Sequence, residues 1–60
     1  MKTYKIGDIL LHTELNITLV VAGWCSWLDG EHYACYSVIS MNIYPIEYLK
    51  DYYVKIGSLD

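Results

Sequence analysis

Sixty residues, 55% of them hydrophobic and 15% aromatic, make one small apolar-rich domain over residues 1–60 and exclude a second. A chain of this size buries only about 60% of the surface its unfolded form exposes, which argues against a deep substrate cleft, and its apolar content is too high for a disordered tail. A net charge of −3, four lysines against seven acids with no arginine, excludes phosphate recognition by guanidinium forks.

The charge is also unevenly placed. Residues 6–49 hold five acids and no lysine, while Lys2, Lys5, Lys50 and Lys55 lie toward the two ends. Only the ends therefore offer cations to a phosphate backbone. The basic start is interrupted at Gly7-Asp8 before an apolar signal core develops. The uncharged stretch over residues 15–28 is shorter than the roughly 20 apolar residues of a membrane helix. A cytoplasmic protein with no membrane partner is the expectation.

Strand-forming residues dominate the chain, with seven isoleucines, four valines and nine aromatics separated by Gly, Asn and Asp. The first run, residues 4–12, contains Gly7-Asp8 as a bend. Residues 13–16 read as a loop and 17–27 as a long second strand. Asp29-Gly30 suits the central positions of a type I′ turn, because both tolerate positive φ. That turn closes a hairpin onto a third strand over 32–40, pairing Leu28 with Glu31, Trp27 with His32, Cys25 with Ala34, Gly23 with Tyr36 and Val21 with Val38. Those residues make a plausible core wall, with Tyr36 lying over Gly23. The opposite face pairs Trp24 with Cys35, Ser26 with Tyr33, Ala22 with Ser37 and Val20 with Ile39, and it is less polar than a solvated face should be.

Beyond Ser40, Met41-Asn42 reads as a turn and Ile43-Tyr44 as a short strand. Residues 45–51 read as one helical turn, with Pro45 at its start and Ile46 and Leu49 three apart. A last strand follows over 52–56. About five short strands with one helical turn before the last describe an all-β chain folded as a small barrel, whose closure removes exposed edges.

The segment Lys5-Ile6-Gly7-Asp8-Ile9-Leu10, followed by a β-rich stretch and then Cys25-Ser26-Trp27-Leu28-Asp29-Gly30, resembles small bacterial and phage proteins of the YodC-like group. The resemblance covers residues 5–30 and implies an SH3-like barrel, with no activity attached to it. The chain differs from that group at residues 13–16, where the group has a glycine- and serine-rich turn, and at Leu28, where it prefers an aromatic.

Chemistry-bearing residues are sparse. In the Asp29-Gly30 register Cys25 and Cys35 lie on opposite faces and cannot bond, whereas a three-residue loop would set them opposite each other. Two reduced, packed thiols are the expectation in a cytoplasmic protein. His12, Cys25, His32 and Cys35 are zinc-ligand types at the wrong spacing, so no metal or other cofactor is expected. No base is held against a cysteine to activate it, and Gly7, Gly23, Gly30 and Gly57 are isolated, so no phosphate loop and no enzyme are expected.

Seven tyrosines and two tryptophans exceed what so small a core absorbs. Some will lid the core with the hydroxyl in water. The candidates for an exposed, partner-binding patch are Trp24, Tyr33, Tyr44, Tyr48 and Tyr52, since such patches mark interaction surfaces. The expected function is a non-catalytic protein-binding module, with inhibition of a host protein by a phage as a special case. Uncharged stretches over 15–28 and 33–46 also suggest self-association as a homodimer. The competing expectation is a nucleic-acid-binding barrel using Lys2, Lys5, Lys50 and Lys55.

Overall fold

The computed structural model describes residues 3–27 and 30–59. Strands β1 (Asp8–His12), β2 (Thr18–Trp27), β3 (Gly30–Tyr36), β4 (Met41–Pro45) and β5 (Tyr53–Ser58) form one antiparallel sheet in the order β4-β3-β2-β1-β5. Among the described residues a single helix, α1 (Ile46–Tyr52), precedes the last strand, so the expected all-β chain with one short helix before its final strand is what forms.

Helix α1 starts where β4 stops and ends where β5 starts, so it joins the two edge strands directly. Seven helical residues advance about 10 Å. The edges of a flat five-stranded sheet stand about 19 Å apart. The sheet must therefore curl toward α1, which packs on β3, β4 and β5. Pro45 sits extended at the N-cap (φ −70°), Glu47 lies in the first turn and Lys50 in the last, matching the helix dipole at both ends. Leu49 on this helix is fully buried and Ile46 packs beside the core, as their three-residue spacing requires.

The concave side of the sheet holds the core: Leu10, Leu19, Val21, Tyr33, Cys35, Leu49 and Tyr53. Gly7 shapes the entry to β1. Its φ of 96° is costly for any residue with a Cβ. Here its N–H donates to the Val21 carbonyl (2.8 Å) and its carbonyl accepts from Leu59 N–H (2.9 Å). The next residue, Asp8, is buried, accepts the Lys5 N–H at 2.9 Å and meets Lys55 Nζ at 3.4 Å. The first expected run is thus shortened, with residues 5–7 forming the turn and the strand beginning at Asp8.

The central hairpin differs from its expected register. Trp27 pairs with Gly30, Ser26 with Glu31, Cys25 with His32, Trp24 with Tyr33 and Gly23 with Ala34. Gly30 therefore belongs to the strand and not to the turn, while Leu28 and Asp29, and with them the expected Leu28 to Glu31 pair, lie outside the described residues. A bulge at Ala22 then sets Val21 against Cys35 and Val20 against Tyr36. The extra residue returns Leu19 and Val21 to the concave side. As a result Tyr33 and Cys35, not Ala34, Tyr36 and Val38, supply the core wall of β3. Tyr36 is 52% exposed and Val38 99%. Cys25 and Cys35 are free thiols on opposite faces.

The third strand ends at Tyr36, four residues before the expected end, and the turn occupies Ser37 to Ser40 in place of Met41-Asn42. Ser37 Oγ accepts the N–H groups of Ile39 (3.3 Å) and Ser40 (3.2 Å), and Ser37 N–H donates to the Ser40 carbonyl (2.8 Å). Serine hydroxyls offering local partners to the backbone outweigh the strand preference of Val38 and Ile39. Met41 and Asn42 join β4 opposite Tyr36 and Cys35.

Truncating the one helical side chain that is fully buried should loosen this closure. Leu49→Ala is expected to cost about 2–5 kcal/mol, a large share of a small domain's stability, measured as a lowered midpoint in urea unfolding followed by circular dichroism.

Candidate functional site

Tyr48 and Tyr52 are four apart on α1 and so share one side of the helix. Tyr44, four residues earlier at the end of β4, stacks nearly parallel on Tyr48 (centroids 5.6 Å, 8° between planes), and Tyr48 meets Tyr52 at 5.0 Å. His12, at the end of β1, continues the row by stacking on Tyr52 at 5.9 Å. Tyr53 lies beneath, 5.0 Å from His12 and 6.1 Å from Tyr48. His12 Nδ1 accepts the N–H groups of Glu14 (3.1 Å) and Leu15 (3.0 Å), which holds the ring in place and leaves its other nitrogen to carry the hydrogen of the neutral form.

The register ties the remaining candidates into the same belt. Trp24 faces Tyr33 across β2 and β3, and Tyr33 faces Tyr44 across β3 and β4. Trp24, Tyr33, Tyr44, Tyr48 and Tyr52 are therefore brought together, but in unequal roles. Tyr48 and Tyr52 are exposed at 37% and 46%, Trp24 at 41%, and Tyr44 is half-buried. Tyr33 is fully buried, which corrects the expectation that it lies at the surface. The cause is the extra residue at Ala22, which brings Leu19 and Val21 to the face that Tyr33 shares with Trp24. Trp24, its partner in place of the expected Ser26, lies two positions along β2 and so on the same face.

Tyr33 instead anchors the N-terminal segment. Its hydroxyl donates to Glu31 Oε2 and accepts from Thr3 N–H (2.9 Å) and Tyr4 N–H (3.1 Å), the full capacity of a hydroxyl. The Tyr4 ring meets the Tyr33 ring edge-on at 5.2 Å. Burial, and then the bond to Glu31, push the Tyr33 hydroxyl above the ordinary tyrosine range. The Thr3 N–H, and then the Tyr33 hydroxyl, hold Glu31 below the usual carboxylate range. Burial raises the Tyr53 hydroxyl as well, reinforced by Tyr48 and Tyr44.

Two grooves flank the belt. One, of about 650 Å³, is lined by Trp24, Gly23, Tyr4, Ile6, Lys5 and Tyr33. The other, of about 400 Å³, has Tyr44, Tyr48 and Tyr53 on its aromatic side and Asn16, Asn42 and Ser40 among its polar lining, with no charged residue. His12, Tyr53 and Tyr4 were not singled out as part of an aromatic site by sequence reasoning. Nothing local marks them, since the strand pairing and the return of the chain bring them to the belt.

The other candidates are dispersed. Lys55 sits on Asp8, whose carboxylate also holds the Lys5 backbone, Lys50 follows Leu49 on α1 and precedes Asp51, and Lys2 lies outside the described residues. Cys25 faces His32 on the convex side, Cys35 is in the core and His12 is in the aromatic row. Among the described residues no three His, Cys, Asp or Glu side chains gather as a metal site, and no helix is long and apolar enough to cross a membrane. No family model, curated protein or solved structure matches this chain.

Two outcomes check this geometry. Cys35 is buried and its thiol is pushed up to about 11, so one thiol per chain, Cys25, should react with iodoacetamide in the native protein and the second only in urea. Glu31 has a folded-state value below its unfolded one, so its contribution is present above the unfolded value and disappears as pH falls through the folded value. Acid titration by NMR should therefore release the Thr3 amide, and Glu31→Gln should remove that transition.

Proposed function

We propose that this chain is a non-catalytic binding module with an SH3-like barrel, of bacterial or phage origin and cytoplasmic, that holds a protein partner on its tyrosine row. The strand order β4-β3-β2-β1-β5 and the short helix before β5 support the SH3-like reading. The likeness of residues 5–30 to the YodC-like group supports the origin, and two free cysteines accord with a reducing compartment.

One observation carries the binding role: Tyr48 and Tyr52 stand exposed, stacked with Tyr44 and His12, beside an uncharged groove. Stacked rings held on a helix lose little freedom on binding, and tyrosine is enriched at the centres of interfaces. Exposed Glu47 and Asp51 share α1 with the row, so a neutral or basic segment of a partner fits better than a phosphate chain. The competing reading, nucleic acid held by Lys2, Lys5, Lys50 and Lys55, has weaker support because Lys55 is already engaged by Asp8.

Immobilised protein should retain a stoichiometric protein from bacterial lysate through nuclease treatment and raised salt. The Tyr48→Ala, Tyr52→Ala double variant should lose it by about 30-fold or more in affinity while keeping its circular dichroism spectrum. Retention of nucleic acid that elutes as salt rises would move the assignment to the lysines.

A further inference from the structure

The groove beside Tyr44 and Tyr48 differs in chemistry from a plain apolar cleft. The sheet register sets its walls: Val20 pairs with Tyr36, so residues 16–19 leading into β2 run alongside the turn at 37–40 that leaves β3. Buried Leu19 and Tyr53 form the floor, and exposed Asn16, Thr18, Ser40 and Asn42 stand at the rim.

These polar groups are held in place without being saturated. Ser37 is fully used inside the turn, since its hydroxyl accepts the Ile39 and Ser40 amides and donates to the Ser40 carbonyl (3.2 Å). Ser40 differs. Its Oγ accepts one Asn42 Nδ2 hydrogen at 3.1 Å, which leaves the Ser40 O–H to donate and the Asn42 Oδ1 to accept. One bond thus fixes a donor and an acceptor side by side at the groove. Deeper in, Tyr53 is only 6% exposed, and its hydroxyl bonds to no other described residue. No buried polar atom among the described residues lacks a partner, so that hydroxyl is the part of Tyr53 that opens into the groove.

We propose that this groove binds a neutral saccharide. It shares Tyr44 and Tyr48 with the tyrosine row, but its polar wall lies outside that row, so the site goes beyond the protein-partner reading and does not rest on it.

The lining selects this class of ligand. None of the lining residues is charged, so a phosphate, carboxylate or ammonium group would lose its hydration with no ion to replace it. A wholly apolar ligand would cover Ser40, Asn42 and the Tyr53 hydroxyl and leave each unpaired, at the cost of a lost hydrogen bond apiece. A pyranose meets both conditions. Its hydroxyls each donate and accept, so two neighbours on the ring match the Ser40 donor and the Asn42 acceptor. Its C–H groups pack on tyrosine rings, whose faces carry the negative part of the quadrupole. A volume of about 400 Å³ lies toward the small end of ligand sites, which suits a mono- or disaccharide unit. The Ser37 bonds already order the turn, so binding pays little to arrange it.

Titration of the isotope-labelled full chain with glucose, galactose, N-acetylglucosamine, cellobiose, lactose and chitobiose, followed through its amide NMR signals, tests this. At least one sugar should bind with a dissociation constant of about 1 mM or below, shifting amides at 16–19, 37–42 and 53. Ser40→Ala and Asn42→Ala each remove one partner and should weaken that binding by about fivefold or more. Asn42 is exposed, so its truncation leaves the core intact should Ser40→Ala fail to fold. Adenosine and uridine, neutral ligands with a flat base, should bind more weakly than that sugar. Failure of every sugar to shift these amides, sugar binding indifferent to the folded variants, or tighter binding of a nucleoside would each overturn the proposal.

Discussion

The length of α1 is the constraint on which the rest of the molecule depends. Seven residues must carry the chain from β4, one edge of the sheet, to β5, the other, and an α-helix advances too slowly to span a flat sheet of five strands. The sheet curls, its concave side becomes small enough for a few large side chains to fill, and Leu49 closes the space from the helix. The same constraint brings β1 and its His12 to the exposed tyrosines of α1.

A core this small leans on aromatic side chains with polar ends. Tyr33 is the largest fully buried side chain among the described residues, and its hydroxyl is fully occupied by Glu31 and the Thr3 and Tyr4 amides. That arrangement lets a phenol enter the core without an unpaired oxygen, and in return it pins the N-terminal segment over the concave side. Asp8 does the equivalent work at the start of the sheet, where a buried carboxylate takes the Lys5 amide and the Lys55 ammonium and links the turn before β1 to β5.

The two sides of the sheet then diverge in character. On the concave side aromatic rings run from the core out to solvent, ending in Tyr48 and Tyr52 beside acidic residues of the same helix. The convex side is aliphatic and uncharged, with one tyrosine ridge next to an open glycine strip. A chain of 60 residues thus presents two chemically distinct surfaces, one of tyrosine rings beside acidic side chains and one uncharged and largely aliphatic.

The sequence by itself determined that five strands and one short helix would form, because β-branched and aromatic runs separated by Gly, Asn and Asp have few other solutions. Pro45 with Ile46 and Leu49 marked the helix, and the excess of tyrosine marked an aromatic surface. Tertiary structure alone decided which tyrosines reach solvent. Side-chain period in a strand is two, so the single extra residue at Ala22 determines that Leu19 and Val21 join the face of Tyr33 and not that of Tyr36. The serine hydroxyls that end β3 at Tyr36 act through bonds that composition does not reveal. Nor does local sequence place His12 against Tyr52, because 40 positions separate them and only the pairing of β1 with β5 makes them neighbours.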